Sequence, residues 1–152
     1  MTKKEIKDDL NKAVKEKNSA ACGVLRMVLA AISNKEKEKK YKEKKEVELT
    51  DEEILSILTS EAKKRKEAIL EFKKADREEL VQKEKIELDI LQKYLPQQLS
   101  GEELENMVRE AIREVKAESM KDMGRVMARI MPKIKGRADG SEISRIAKEI
   151  LS

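Results

Sequence analysis

Basic residues recur at short, regular steps near the carboxyl-terminal end of the sequence. The set comprises Lys121, Arg125, Arg129, Lys133, Lys135 and Arg137. The first four are spaced by four residues, so on a helix they would stack on one face. Such a row would extend about 18 Å and could meet several phosphates of one nucleic-acid backbone. Asp122 is the one acid within the stretch, so the stretch predicts a phosphate-binding surface.

An apolar row shares this segment. Met123, Val126, Met127, Ile130, Met131 and Ile134 recur at steps of three and four, which predicts a helix face that packs in a core. On such a helix the alternative interpretation of the cations is a solvated face, and on the residues alone that interpretation is favoured. Together with Met120, the methionines also allow a flexible surface for a protein groove, although burial in the core is the favoured fate.

Turn residues predict where this helix ends and the next one begins. Pro132 predicts a kink or an end, and Gly136 can take the left-handed conformation that closes a helix. Asp139 is expected to accept the backbone N–H of Glu142 in a capping box. The free N–H groups of Gly140 and Ser141 would then face an anion, with Lys135 and Arg137 just before them.

The residue types for catalysis are scarce. The chain contains no histidine and one cysteine, Cys22, which lies in an apolar run and is expected to be buried. There is no Gly-rich phosphate loop and no cluster of metal ligands, and the acidic residues fall at helix caps or on polar faces. We therefore predict no catalytic residue, no cofactor and no metal site.

Composition limits the class of protein further. The 152 residues carry 35 basic and 31 acidic side chains, a net charge of +4, which is too small to predict a nucleic-acid binder by itself. Two Tyr and one Phe leave a core of aliphatic residues and Met, which suits helix packing. The first ten residues have no apolar signal region, so we expect a soluble, cytoplasmic protein with no membrane span.

Capping patterns divide the chain into amphipathic helices. Each pattern is a polar residue followed three positions later by Glu: Thr2 and Glu5, Thr50 and Glu53, Asp76 and Glu79, Ser100 and Glu103. Pro96 marks a boundary. We predict an all-α fold, with an N-terminal helical bundle over residues 1–95 and a small three-helix unit over 96–152.

The lysine-rich stretch Lys35–Lys45 remains ambiguous. It holds seven Lys against three Glu, and it is either the projecting end of the second helix or a mobile linker. Here too a solvated face is favoured over a binding tail.

Three stretches carry a resemblance to a known family. They are LRMVLAAISN (25–34), residues 62–100 (AKKRKEAILEFKKADREELVQKEKIELDILQKYLPQQLS) and KDMGRVMARIMPKIKGRADG (121–140). The chain resembles the YqeY family, whose fold is shared with the C-terminal tail of GatB, a subunit of the glutamine-dependent tRNA amidotransferases. Two positions depart from the expected pattern: Arg125 stands in place of Lys and Asp76 in place of Gly.

The resemblance implies an all-helical GatB/YqeY-type module that contacts tRNA or another structured RNA. It also implies carbon–nitrogen ligase activity with glutamine as amide donor, but the glutaminase and activating sites of the amidotransferase lie outside the shared part. We therefore expect no amide transfer by this chain alone. With the resemblance, RNA contact is favoured over the solvated face. The alternative is an adaptor that binds a protein of the translation or aminoacylation machinery through the Met-rich surface.

Overall fold

The structure, a computed structural model, describes residues 3–152. In this range the chain is helical, with seven α-helices and no strand, so the all-α prediction is confirmed. The chain forms two compact units, a first that ends at Leu95 and a second over Pro96–Ser152. The predicted cap formed by Thr2 and Glu5 lies outside the described residues.

Four helices form the first unit: α1 (Lys3–Lys15), α2 (Ser19–Glu43), α3 (Asp51–Lys74) and α4 (Glu78–Gln92). Buried aliphatic side chains from all four build one core, among them Ile6, Val28, Leu58 and Leu91. The capping box of Thr50 and Glu53 forms as predicted. Cys22 is buried beside Ala13 and Ala21, so its predicted burial is confirmed.

The turn before α4 differs from the prediction. Asp76 does not cap this helix, since the N-cap position is Arg77 and its side chain makes no capping bond. Instead Asp76 lies in the left-handed region with φ 54°. A left-handed residue is where glycine is favoured, which accounts for the glycine expected at this position.

A buried ionic cluster joins three helices of this unit. Arg65 Nη1 on α3 donates to the Oε2 of Glu61 at 2.9 Å, and its Nη2 lies 3.1 Å from the Sδ of Met27 on α2. Glu87 on α4 lies 3.5 Å from Arg65 Nε. Glu61 and Arg65 are only 6% and 5% exposed. The prediction that the acidic residues lie at caps or on polar faces is therefore wrong for Glu61.

Three α-helices form the second unit: α5 (Gly101–Val115), α6 (Met123–Ile134) and α7 (Gly140–Leu151), with a 3₁₀ turn at Met120–Asp122. Ser100 and Glu103 form the predicted capping box at the start of α5. The core residues come from all three helices, for example Val108, Ile130 and Ile143. This arrangement fixes which side of α6 faces the core and which side faces solvent.

Candidate nucleic-acid interface

The segment that carries the basic row begins with a capped 3₁₀ turn. The Ser119 hydroxyl accepts from the backbone N–H of Lys121 at 3.3 Å. The Asp122 carboxylate accepts from the N–H groups of Glu118 at 2.9 Å and Ser119 at 3.4 Å. Because both ends of this turn are bonded, Lys121 sits in a 3₁₀ turn rather than in the first turn of an α-helix. Only Arg125, Arg129 and Lys133 follow the predicted α-helical spacing.

The predicted apolar side of α6 packs in the core. Val126, Ile130 and Ile134 are 0 to 1% exposed, and Met123 and Met127 pack partly buried against the same cluster. Two methionines depart from the expected burial, because Met120 is 41% and Met131 40% exposed. A different side of α6 carries Arg125, Arg129 and Lys133, which are exposed, and Lys121 and Lys135 beyond the two ends of the helix are exposed as well.

Arg125 connects the end of α5 to the start of α6. Its Nη1 donates to the carbonyl of Val115 and its Nη2 to Asp122 Oδ1, each at 2.7 Å. The backbone N–H of Glu118 and the Arg125 guanidinium lower the pKa of Asp122 to about 2. A cation on the last carbonyls of a helix also complements the negative end of the helix dipole. Arg125 therefore has a structural role, while its side chain stays 57% exposed.

Arg129 is paired in a similar way across α5 and α6. Its Nε donates to Glu114, and this hydrogen bond holds the pKa of the Glu114 carboxyl below its usual range. The charge of Lys133 acts in the same direction. Since Glu114 lies so close to two of the predicted cations, the local positive charge is smaller than the α6 sequence alone indicates. Arg129 remains 51% exposed.

Arg137 lies apart from the row and is half-buried. Its Nε donates to the carbonyl of Gln97 at 3.1 Å, and its own carbonyl accepts from Leu99 N–H at 2.9 Å. Gln98 Nε2 donates to the carbonyl of Gly136 at 2.7 Å. These bonds fix the segment that leads into α5. Gly136 takes the predicted left-handed conformation, with φ 73°.

The start of α7 does not form the predicted anion site. Asp139 Oδ1 accepts from the backbone N–H of Ser141 at 3.0 Å, and Oδ2 accepts from the Ser141 hydroxyl at 2.8 Å. The predicted reciprocal bond with Glu142 is therefore replaced by a bond one residue earlier. A carboxylate of the chain already occupies the positive end of this helix, so the expectation of an open site at Gly140 and Ser141 is wrong.

Lys116 was not among the cations predicted to form the basic row. It closes α5 in the left-handed conformation with φ 55° and is exposed. It directly follows Val115, whose carbonyl accepts from Arg125. Lys116 lies near the basic row because α5 packs against α6. The spacing of residues within α6 cannot indicate this. Five exposed cations define a set that we call the α6 basic surface: Lys116, Lys121, Arg125, Arg129 and Lys133.

The described part of the chain, residues 3–152, also bears on metal binding and on membrane insertion. Over this range no group of three or more His, Cys, Asp or Glu side chains is placed to hold a metal ion. Among the same residues no helix is both long and apolar enough to span a membrane.

Comparison with known proteins places the chain among characterised sequences. The family model for Yqey-like proteins matches residues 3–151. A relative from Pyrenophora tritici-repentis, named altered inheritance of mitochondria protein 41, mitochondrial, is 34% identical over 96% of this chain and 78% of its own length. Relatives of the same name from Kluyveromyces lactis and Saccharomyces cerevisiae are 40% and 39% identical over 59% and 66% of this chain. This chain spans about half the length of these two yeast relatives, 45% and 51%.

These relatives correct one expectation and confirm another. The expectation of a cytoplasmic protein is wrong, because the relatives are named as mitochondrial proteins. The lack of an apolar run near the N-terminus does not distinguish a cytoplasmic protein from a mitochondrial one, since mitochondrial targeting segments are amphipathic rather than apolar. The resemblance seen in the three sequence stretches is confirmed by a match over nearly every residue: the chain belongs to the YqeY family.

Proposed function

We propose that this protein binds a folded RNA such as tRNA through the α6 basic surface. The observation that carries the proposal is the row of exposed cations on a side of α6 different from its buried face. Phosphate contacts supply most of the affinity of such surfaces and need little shape beyond a suitable row of charges. The mode of recognition would be the RNA backbone, since residues 116–137 contain no aromatic side chain for stacking.

The ion pairs within this surface do not remove its capacity to bind phosphate. A guanidinium has five N–H donors. The described bonds of Arg129 use only Nε, and those of Arg125 use Nη1 and Nη2 once each. Both side chains are held in place by partners in the protein, which reduces the entropy lost when a phosphate binds. Lys121 and Lys133 have no ion pair among the described residues.

The test is a titration of labelled tRNA at two salt concentrations with charge-reversed proteins. We expect Lys121→Glu/Lys133→Glu, which leaves the described ion pairs intact, to weaken binding at least tenfold at low salt. Loss of two phosphate contacts should reduce the salt slope of the logarithm of affinity by about 2. Arg125→Glu/Arg129→Glu should act in the same direction, with circular dichroism to confirm unchanged helicity.

Glu114→Gln supplies a variant with the opposite expected effect. It removes the carboxylate paired with Arg129, so RNA affinity at low salt should rise. A matched control is Glu149→Gln on α7, which also removes one acid paired with an arginine. If wild type fails to bind at low salt, or the lysine variant binds as well as wild type, the row is a solvated face and the proposal is wrong.

The alternative proposal is a protein adaptor that uses the Met-rich surface. It is supported by Met120 and Met131, which remain 41% and 40% exposed although burial in the core was the favoured prediction for both. A flexible methionine surface can fit a protein groove. Binding through this surface would resist added salt, whereas phosphate contacts weaken steeply. Met120→Ser/Met131→Ser should therefore leave RNA affinity unchanged and lower the affinity for a protein partner.

A further inference from the structure

The long helix α2 has a buried half and an exposed half. Six of its residues up to Ile32 are buried: Ala21, Cys22, Val24, Leu25, Val28 and Ile32. From Ser33 to Glu46 no residue is buried, although the helix continues to Glu43. The lysine-rich stretch is therefore the projecting end of α2, which resolves the choice left open by the sequence. A helical end that lies outside the core must be stabilised by interactions other than apolar packing.

Ion pairs hold this projecting end in place, and most of its acidic residues take part in them. Lys39 lies 2.6 Å from Glu53 on α3, and this hydrogen bond lowers the pKa of Glu53. Glu36 pairs with Lys3 at 2.7 Å, and Glu46 pairs with Lys40. Most acidic residues of the stretch are therefore engaged in ion pairs, and the charge that remains unpaired is mainly positive. Four exposed lysines have no ion pair among the described residues: Lys37, Lys42, Lys44 and Lys45.

Tyr41 stands in the middle of these lysines and is 86% exposed. The two other aromatic residues, Phe72 and Tyr94, are both partly buried. Lys37 precedes Tyr41 by four residues, so the two lie on one face of the helix. Lys44 follows as the left-handed C-cap of α2. Together with Lys42 and Lys45 they line a shallow groove. An aromatic ring left in water beside unpaired cations is the combination that proteins use for unpaired bases.

We propose that this end of α2 is a contact site for single-stranded nucleic acid, in which the Tyr41 ring stacks on a base and the flanking lysines meet the phosphates. A membrane surface is a poorer fit, because an interfacial helix needs an apolar face and Tyr41 is the one apolar side chain between Lys35 and Glu46. The site is separate from the α6 basic surface, which lacks an aromatic residue. This inference therefore does not rest on the proposed binding of folded RNA.

The test measures anisotropy of a short fluorescein-labelled oligouridine titrated with the full chain at low salt. Stacking on one base is worth about 1–3 kcal/mol, so Tyr41→Ala should weaken binding by about 5- to 150-fold. Tyr41→Phe keeps the ring and should bind within about twofold of wild type. Lys37→Ala/Lys44→Ala should weaken binding and reduce the salt slope by about 1.4, the value for two contacts to a single strand.

Matched controls separate this site from net charge and from the other surface. Lys83→Ala/Lys85→Ala removes two exposed lysines of α4 in the same unit and should change oligouridine affinity less than the Lys37/Lys44 pair does. Lys121→Glu/Lys133→Glu should keep the discrimination between Tyr41→Phe and Tyr41→Ala even if it loses tRNA. The inference is overturned if Tyr41→Ala binds oligouridine as tightly as wild type, if duplex RNA is bound equally well with no effect of Tyr41→Ala, or if Tyr41 affects only binding to anionic phospholipid vesicles.

Discussion

Arginines occupy opposite environments in the two units. In the first unit, Arg65 lies in the core between two glutamates, and its side chain is 6% exposed. In the second unit, Arg125 and Arg129 also bond to acids, yet their side chains are 57% and 51% exposed. Burial of a charge is costly unless its partners are all present, whereas an exposed pair can exchange a partner for water or a ligand at little cost. Ion pairing alone therefore does not distinguish an arginine enclosed in the core from one whose side chain remains accessible to a ligand, whereas exposure does.

The strongest test of this comparison removes the buried arginine. Arg65→Met leaves Glu87 without its cation and leaves buried Glu61 paired only with Lys64, whose side chain is 67% exposed. Removal of one partner from a buried pair costs about 3–5 kcal/mol. Arg129→Met should have a much smaller effect on the free energy of unfolding, because water can solvate Glu114. Urea unfolding followed by circular dichroism reports on the helices of both units, and tyrosine fluorescence reports on the first unit alone, since both tyrosines lie there. Equal losses in the two variants would show that burial does not distinguish these arginines.

A triple variant shows whether the cost comes from the unpaired acids. Glu61→Leu/Arg65→Met/Glu87→Leu removes all three charges together, and apolar replacement of a whole buried cluster is often neutral or stabilising. Arg65 Nε is the buried side-chain polar atom that lacks a hydrogen bond among the described residues, so the native cluster is itself imperfect. We expect the triple variant to unfold closer to wild type than Arg65→Met. A triple variant less stable than Arg65→Met would mean that the ionic cluster stabilises the bundle by itself.

The helix pattern was accessible from the sequence because it depends on neighbouring residues. Thr50 with Glu53 and Ser100 with Glu103 cap their helices as predicted, since a capping box involves residues three apart. The buried face of α6 followed for the same reason. Burial of Glu61 was missed because it depends on Glu87 and Met27, which are distant in sequence. The candidate site was predicted only in part: the exposed row was found, but not Glu114, which lies opposite Arg129 on another helix.

The exposed pair of Arg125 and Asp122 predicts a pH dependence in the second unit. Structure lowers the pKa of Asp122 from 3.8 to about 2, so its contribution to stability is present above about pH 4 and is lost as the pH falls towards 2. As the pH is lowered from about 4 towards 2, the free energy of unfolding of Asp122→Asn should therefore fall less than that of wild type. The measurement is an NMR titration of the Asp122 carboxyl carbon together with hydrogen exchange of the Glu118 amide, which donates to that carboxylate. A carboxyl carbon that titrates near pH 4 would show that the capped turn does not hold Asp122 in its charged form.

The smallest expected effect comes from comparing one left-handed residue in each unit. Asp76, before α4, has φ 54°, and Gly136, after α6, has φ 73°. A side chain in this conformation is strained, although aspartate tolerates it better than most residues, and glycine removes the strain at the cost of a more flexible unfolded chain. Asp76→Gly should therefore raise the free energy of unfolding by about 0.5 kcal/mol, whereas Gly136→Asp should lower it by a similar or larger amount.

Urea unfolding measures both changes, and Asp76→Ala serves as the control. Alanine lacks the polar side chain that helps aspartate in this region, so it should destabilise the turn. A gain from Asp76→Ala equal to that from Asp76→Gly would show that loss of the charge, rather than relief of the backbone, determines the stability of this turn.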